Sequence, residues 1–294
     1  MGGTTYSYAS ATTSRATKGT YTNSIDANFT QNRKRMAHES MKSQGIILRE
    51  ARDSEVHPET FPILLGLDLT GSMQDIPQNL IQTGLPDLIS GLIQGGLQSP
   101  ALLFVGVGDH ECDREPLQVG QFESGDVELD MWLGRTYLEG GGGGNAGESY
   151  SLAHYFASRH VVTDAWEKRK QKGVLITIGD EPNLKNYPSS AMKEIMNNGD
   201  IKTFSDSEIL AEALERWEVF HINPRANSWR GDGTADYWKQ LLGDRYIEVE
   251  NYTQIPDVVK GLVLKLANKT APNIPDSTGE RTTPSTDTDK PVML

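Results

Sequence analysis

At 294 residues, with a formal net charge of -12 and 36% hydrophobic residues, the chain is long enough for one large domain with tails or two small ones. The acidic balance excludes nucleic acid and anionic membrane as primary partners, because both require a basic face. The single cysteine, Cys112, excludes an internal disulfide framework and fits a reducing cytoplasm. No apolar run reaches the ~18 residues needed to span a bilayer.

Residues 1–30 are rich in Thr, Ser, Tyr, Gly and Asn with almost no aliphatic side chains. Such a segment buries too little surface to offset its ordering entropy, which predicts a mobile arm or one that folds on a partner. It carries no signal-peptide core, and Tyr6 stands where a myristoylation signal needs Ser or Thr. Residues 31–48 are expected to form a short helix, with a strand or packing arm at Gly45–Leu48. Residues 1–57 are therefore read as an N-terminal arm, partly disordered.

Pro58 and Pro62 bracket the entrance to an apolar run, Ile63–Leu67, short enough for a buried strand. It stops at Asp68, and Thr70 and Ser72 follow at spacings of two. Helical periodicity then starts: Ile76, Leu80, Ile81, Leu85, Leu88, Ile89, Leu92 and Ile93 share one face. The three oxygen-bearing residues thus sit on a turn between a central strand and a helix, the edge of an open α/β sheet where ligands bind.

A second strand is expected at Ala101–Val107, then the loop Gly108–Asp113, then an antiparallel third strand at Leu117–Phe122, since the connection is short. A helix near Val127–Leu138 leads to the five glycines Gly140–Gly144 and on to Asn145, Glu148 and Ser149. A long helix is expected from Glu148 to His160, with Val161 and Trp166 as its continuation and the basic run to Lys172 as its solvated end. Strand Val174–Ile178 ends at Gly179-Asp180-Glu181-Pro182. Helix–strand units follow at 206–216 with 219–222 and at 235–242 with 246–249, then a last helix at 255–267. Residues 270–294 read as a disordered tail. The fold class is α/β: a mostly parallel six-stranded sheet with one antiparallel edge strand and helices on both faces, over residues 58–269.

One carboxylate and two hydroxyls converging on a small volume suit a hard cation such as Mg²⁺, Mn²⁺ or Ca²⁺, with no soft sulfur to favour zinc or copper. The alternative is a strand–helix turn with Thr70 and Ser72 as caps. Asp-x-Thr-x-Ser resembles the metal-ion-dependent adhesion site (MIDAS) of von Willebrand factor A (vWA) domains, Asp-x-Ser-x-Ser, with Thr70 keeping the first hydroxyl. The resemblance covers roughly residues 58–268, and the wordings GDHE, GGGGGNAGES and TIGDEP look like bacterial and phage vWA proteins. It implies a Rossmann-like fold, Thr70 and Ser72 as direct ligands, and Asp68 and Asp180 as direct or water-bridged carboxylates. The family's further loop Thr is missing between Gly140 and Ser149. Asn145 is the most natural substitute, with Glu148 or Ser149 next.

The resemblance further implies a cytoplasmic, non-enzymatic module that binds a protein partner through the cation, the partner's Asp or Glu completing its coordination. An AAA+ ATPase is one such partner. A second reading is a metal-dependent hydrolase using Asp109, His110 and Asp113 as a base or second metal site. A third is a phage virion or assembly protein anchored by its arm. Gly142–Ser149 approximates a phosphate loop but places Glu148 where the lysine belongs. Asp68 lacks the second aspartate that haloacid-dehalogenase-like phosphatases use as general acid. Ser149 with His154 or His160 marks no triad, and Trp132, Trp166 and Trp217 read as core residues.

Overall fold

The computed structural model describes residues 6–73, 75–140, 145, 147–196, 202–224 and 233–270. The expected tail from 271 onward, residues 1–5 of the arm and glycines 141–144 lie outside the described residues.

The centre is a six-stranded sheet built from β1 (Phe61–Asp68), β2 (Pro100–Val107), β3 (Leu117–Val119), β4 (Gly173–Ile178), β5 (Trp217–Asn223) and β6 (Tyr246–Glu248). Its order is β6-β5-β4-β1-β2-β3, parallel throughout except for the antiparallel β2–β3 pair at one edge. Every residue of β1 and β2 is buried, as a parallel sheet covered on both faces demands. Ile63, Leu65 and Leu67 of β1 face one hydrophobic layer, completed by helices α2 (Leu85–Gln94), α3 (Asp126–Gly134) and α7 (Ile255–Thr270). Leu64 faces the other, with helices α4 (Ser151–Arg159), α5 (Asp206–Arg216) and α6 (Thr234–Leu242). Gly66 lets α4 approach closely, since a Cβ there would lie 3.2 Å from both the Ala153 Cβ and the Thr177 Cγ2. The order in which successive strands are added reverses between β1 and β4, which run parallel. Their carboxyl ends therefore flank the switch-point crevice, and Asp68 and Asp180 both stand at it.

The helix expected after the pentad is interrupted. An α-helical turn, Ile76–Asn79, passes through a π-helical turn, Leu80–Gly84, before α2 begins. Pro86 explains the break: it has no N–H to give to a preceding carbonyl, and the Leu85 N–H reaches back to the Leu80 carbonyl instead. The Ile81 carbonyl is left without a helical donor, and Arg15 Nε supplies one at 3.0 Å. Ile93, expected on the buried face, is 38% exposed.

That arginine belongs to the segment read as a mobile arm. Residues 6–57 instead lie against the sheet domain, beginning with α1 before the sheet, Tyr8–Lys18, capped by Ser7 and Gly19. Arg15 is fully buried and ion-pairs with Asp130 of α3. Gln78 and Gln82, on the helical turns after the pentad, donate to the Asn23 and Thr20 carbonyls, and Asn28 donates to Gln78. These polar contacts act together with a few scattered apolar anchors, Phe29 and Met41 fully buried among them, and anchors so sparse leave little sign in the composition. Residues 31–48 form three short 3-10 turns rather than one helix. The extra strand is Arg49–Ala51, one step beyond Gly45–Leu48, and Ile47 is 83% exposed.

Two helix boundaries also differ. The helix expected to run past His160 ends at Arg159, and Val161–Thr163 pairs in parallel with Arg49–Ala51. Three consecutive β-branched residues favour that extended backbone. Helix α3 stops at Gly134 rather than Leu138, after which the Tyr137 backbone N–H bonds the Gln118 side chain. Trp132 and Trp217 are buried as expected, whereas Trp166 is half-buried. No helix among the described residues is long and apolar enough to cross a membrane.

Removing Arg15 strips a buried carboxylate and an orphaned helix carbonyl of their partner at once. Arg15→Ala is expected to lower unfolding free energy by about 3 kcal/mol in urea denaturation. A loss under about 1 kcal/mol would mean that the arm does not support the helix.

Candidate metal centre

The turn after β1 is built on Asp68. Its Oδ1 accepts the Thr70 backbone N–H at 2.8 Å and the Thr70 hydroxyl at 2.6 Å, an Asx-type turn closed twice. Thr70 Oγ1 lies 3.2 Å from Ser72 Oγ, which donates to Asp180 Oδ1 at 2.7 Å. Gly71–Met73 forms the 3-10 turn that brings Ser72 round to Asp180. Asp68 and Thr70 are buried, Ser72 and Asp180 half-buried, so the row runs from the sheet interior to its rim.

The proton directions matter. Thr70 spends its hydroxyl hydrogen on Asp68, and Ser72 spends its own on Asp180. The two hydroxyl oxygens therefore face each other with lone pairs, and both carboxylates lie behind them. Neighbouring ligands of a six-coordinate Mg²⁺ with bonds of about 2.1 Å stand roughly 3 Å apart. Successive oxygens of this row are 2.6, 3.2 and 2.7 Å apart, and all are hard donors. The residues fit a small divalent cation. Among the described residues no three His, Cys, Asp or Glu side chains form a metal cluster. A centre here would depend on the two hydroxyls.

Beneath the row stands Tyr150, fully buried, which donates its hydroxyl to Asp68 Oδ2 at 2.7 Å. A Cβ at position 179 would overlap that hydroxyl, so Gly179 is required directly before Asp180. The Tyr150 ring meets His221 and Trp238 edge-on, at 4.9 and 5.6 Å between centroids. His221 pairs with the Thr177 hydroxyl and the Gly179 carbonyl, and Trp238 Nε1 donates to the Glu181 carbonyl. One aromatic group thus anchors both acid-bearing turns.

Burial pushes the Asp68 carboxyl up to about 7; the Thr70 and Tyr150 donors oppose the rise and the Asp180 charge adds to it. Glu148 is raised further, to about 10, by burial first and then by Asp68, Asp113, Asp109 and Glu181. Its backbone is fixed between the Pro182 carbonyl and the Leu184 N–H, and its Oε2 is buried without a hydrogen-bond partner among the described residues. Glu148 therefore stands close enough to Asp68 for the two to repel. Asn145 is drawn elsewhere: its Nδ2 donates to Glu111 Oε2 at 3.0 Å.

The Gly108–Asp113 loop is closed by its own carboxylates. Asp109 Oδ1 accepts the Glu111 N–H, and Asp113 Oδ2 accepts the Asp109 N–H. Asp109 Oδ2 is buried without a partner, and burial raises Asp113 to about 6. His110 lies on this loop, stacked on Tyr187 at 4.8 Å, with Nδ1 2.7 Å from Ser149 Oγ. The structure thus brings Ser149 to His110, and not to His154 or His160. His154 is buried with both ring nitrogens unpartnered, and His160 bonds the Ile47 carbonyl. Ser149 is fully buried and also accepts the His110 backbone N–H, which closes it to a substrate.

Sequence reasoning missed Tyr150, Gly179, His221 and Trp238. The available signals were weak ones: a glycine immediately before Asp180, and a tyrosine two residues after Glu148 at the start of a helix.

No family model matches the chain, and no curated protein matches it. Among solved structures it is similar to the open conformation of the pilus adhesin SpaC of Lactobacillus rhamnosus GG, at 11% identity and a TM-score of 0.45 over 74% of this chain and 31% of that one. It is similar to BatB of Bacteroides thetaiotaomicron at 15% identity and a TM-score of 0.42, over 71% of this chain and 99% of that one. A von Willebrand factor type A protein of Catenulispora acidiphila gives 12% identity and a TM-score of 0.43, over 70% of this chain and 42% of that one. The chain spans about a third of the adhesin's length. Likenesses this distant transfer no residue role and no activity.

The raised Asp68 carboxyl carries a prediction about metal-free protein. The folded state holds a proton between pH 3.8 and about 7 that the unfolded chain has released, so stability falls as pH rises through that window. Asp68→Asn removes the charge. In a chelator its melting temperature should exceed that of wild type by several degrees at pH 8, with the gain shrinking towards pH 5. A variant less stable than wild type at both pH values would show that the donors outweigh burial.

Proposed function

We propose that the chain is a vWA-type binding module that engages a protein partner through a divalent cation, Mg²⁺ or Mn²⁺, held at the switch point. The observation that carries this reading is the row Asp68–Thr70–Ser72–Asp180, in which each hydroxyl donates to a carboxylate and the two hydroxyl oxygens lie 3.2 Å apart. Thr70 and Ser72 would hold the cation, with Asp68 and Asp180 orienting them directly or through water. A cation on neutral hydroxyls keeps much of its charge and supplies a seat for a partner's Asp or Glu. The rise of the Glu148 carboxyl, caused by burial first and then by Asp68 and the other acids nearby, marks an acidic surrounding that a cation would relieve. Asn145, tied to Glu111, is a rim residue in this reading rather than a ligand. An AAA+ ATPase or a virion component would be a partner of this kind if it presents an exposed acid.

The hydrolase reading has less support. Asp109 and Asp113 each give one carboxylate oxygen to a backbone N–H group, and His110 gives Nδ1 to a buried serine. The assembly-arm reading loses its premise for residues 6–57, which pack on this chain's own domain.

The test is capture of partner from a lysate of the source cell on immobilised protein, with Mg²⁺ present. Prey should be retained in Mg²⁺, and lost in EDTA and on Thr70→Ala. Prey that is unchanged by both would remove the metal-bridged contact.

A further inference from the structure

Tyr150 stands under the proposed cation seat without reaching it, and its place there is strongly determined. Its side chain is fully buried, its ring is walled by His221 and Trp238, and Gly179 is a glycine because the hydroxyl passes through that space. The hydroxyl has one partner of consequence for the site, Asp68 Oδ2.

Counting acceptor sites on Asp68 shows what that bond does. An ionised carboxylate offers about four lone-pair positions. The Thr70 N–H and the Thr70 hydroxyl occupy Oδ1, and the Tyr150 hydroxyl occupies half of Oδ2. About one position remains, enough for a hydrogen from a water and too little for two-oxygen coordination of a metal. Ca²⁺ gains from direct, often bidentate carboxylates and seven or eight ligands, whereas Mg²⁺ dehydrates reluctantly and retains several waters in a strict octahedron.

We propose that Tyr150 sets the metal specificity of this centre: by capping Asp68 Oδ2 it denies Asp68 two-oxygen coordination and favours a hydrated Mg²⁺ or Mn²⁺ over Ca²⁺. Tyr150 is a positioning residue, acting through Asp68, and the inference rests on the cation site proposed above. Without the hydroxyl, Oδ2 is free on both lone pairs and turns towards whatever cation sits beside Thr70 and Ser72. That freedom benefits Ca²⁺ more than Mg²⁺.

The test is calorimetric titration of Mg²⁺ and, separately, Ca²⁺ into chelator-stripped wild type, Tyr150→Phe and Thr70→Ala. Wild type is expected to prefer Mg²⁺, Thr70→Ala to lose both ions, and Tyr150→Phe to shift the ratio of the two dissociation constants about 10-fold towards Ca²⁺, the scale of effect seen when support of a metal ligand is removed. A purely structural role would weaken both ions together, so a ratio within about twofold of wild type overturns the assignment to Tyr150 and leaves the site standing. Wild type that takes up no Mg²⁺ overturns the site and the inference with it. A measurement on wild type alone guards against a variant that does not fold. Pulsed EPR of the Mn²⁺-loaded protein in deuterated water should count three or four metal-bound waters, given six positions and two hydroxyl ligands. Two or fewer would place the carboxylates on the metal and contradict the capping role.

Discussion

A buried carboxylate that takes three hydrogen bonds at the end of the central strand is the constraint from which this sheet edge is organised. Asp68 fixes the Thr70 hydroxyl, and through it the approach to Ser72; Ser72 in turn reaches across the switch point to Asp180. The third donor, Tyr150, enters from the helix after the glycine-rich stretch. Two separate chain segments therefore meet on Asp68, and a third, carrying Asp180, joins them through Ser72. Burial opposes its charge and the donors support it, and the balance leaves a group that gains from a nearby cation. Glu148, raised by burial and by the acids around it, is held in its neutral form beside this edge.

The helix that leaves this turn carries a cost of its own. Pro86 forces the π-helical turn and strands the Ile81 carbonyl, and the N-terminal segment repairs the fault with Arg15. The same segment holds Gln78 and Gln82 on the helix's outer face. A helix in contact with the binding edge is thus steadied by residues lying well before the sheet begins. The contact combines a fully buried Phe29 with polar bonds, and it includes one buried ion pair whose removal would leave Asp130 without Arg15.

Much of the sheet is legible in the sequence because strands buried on both faces must be continuously apolar. Ile63–Leu67, Ala101–Val107 and Val174–Ile178 have no other reading at their lengths. The pentad is legible because oxygen-bearing residues at spacings of two, placed where such a run stops, mark a turn with convergent donors. Short and context-dependent features are less visible. Val161–Thr163 is a strand because Arg49–Ala51 lies beside it, a contact with no local signal. The arm's order depends on single scattered residues, Arg15 and the buried Phe29 and Met41 among them, and composition averages these away. Tyr150 owes its role to a position in space opposite Asp68, as does the pairing of His110 with Ser149. Neither distance can be inferred from spacing along the chain.

The most direct measurement of the central claim is an isothermal titration of Mg²⁺ into metal-stripped protein, run beside a Ser72→Ala variant. The account predicts saturable binding at one site in the wild type and none in the variant, because the cation depends on a hydroxyl that carries no charge of its own. Equal heats in the two proteins would show that the Thr70–Ser72 pair is a strand–helix cap and that cation binding, if any, lies elsewhere.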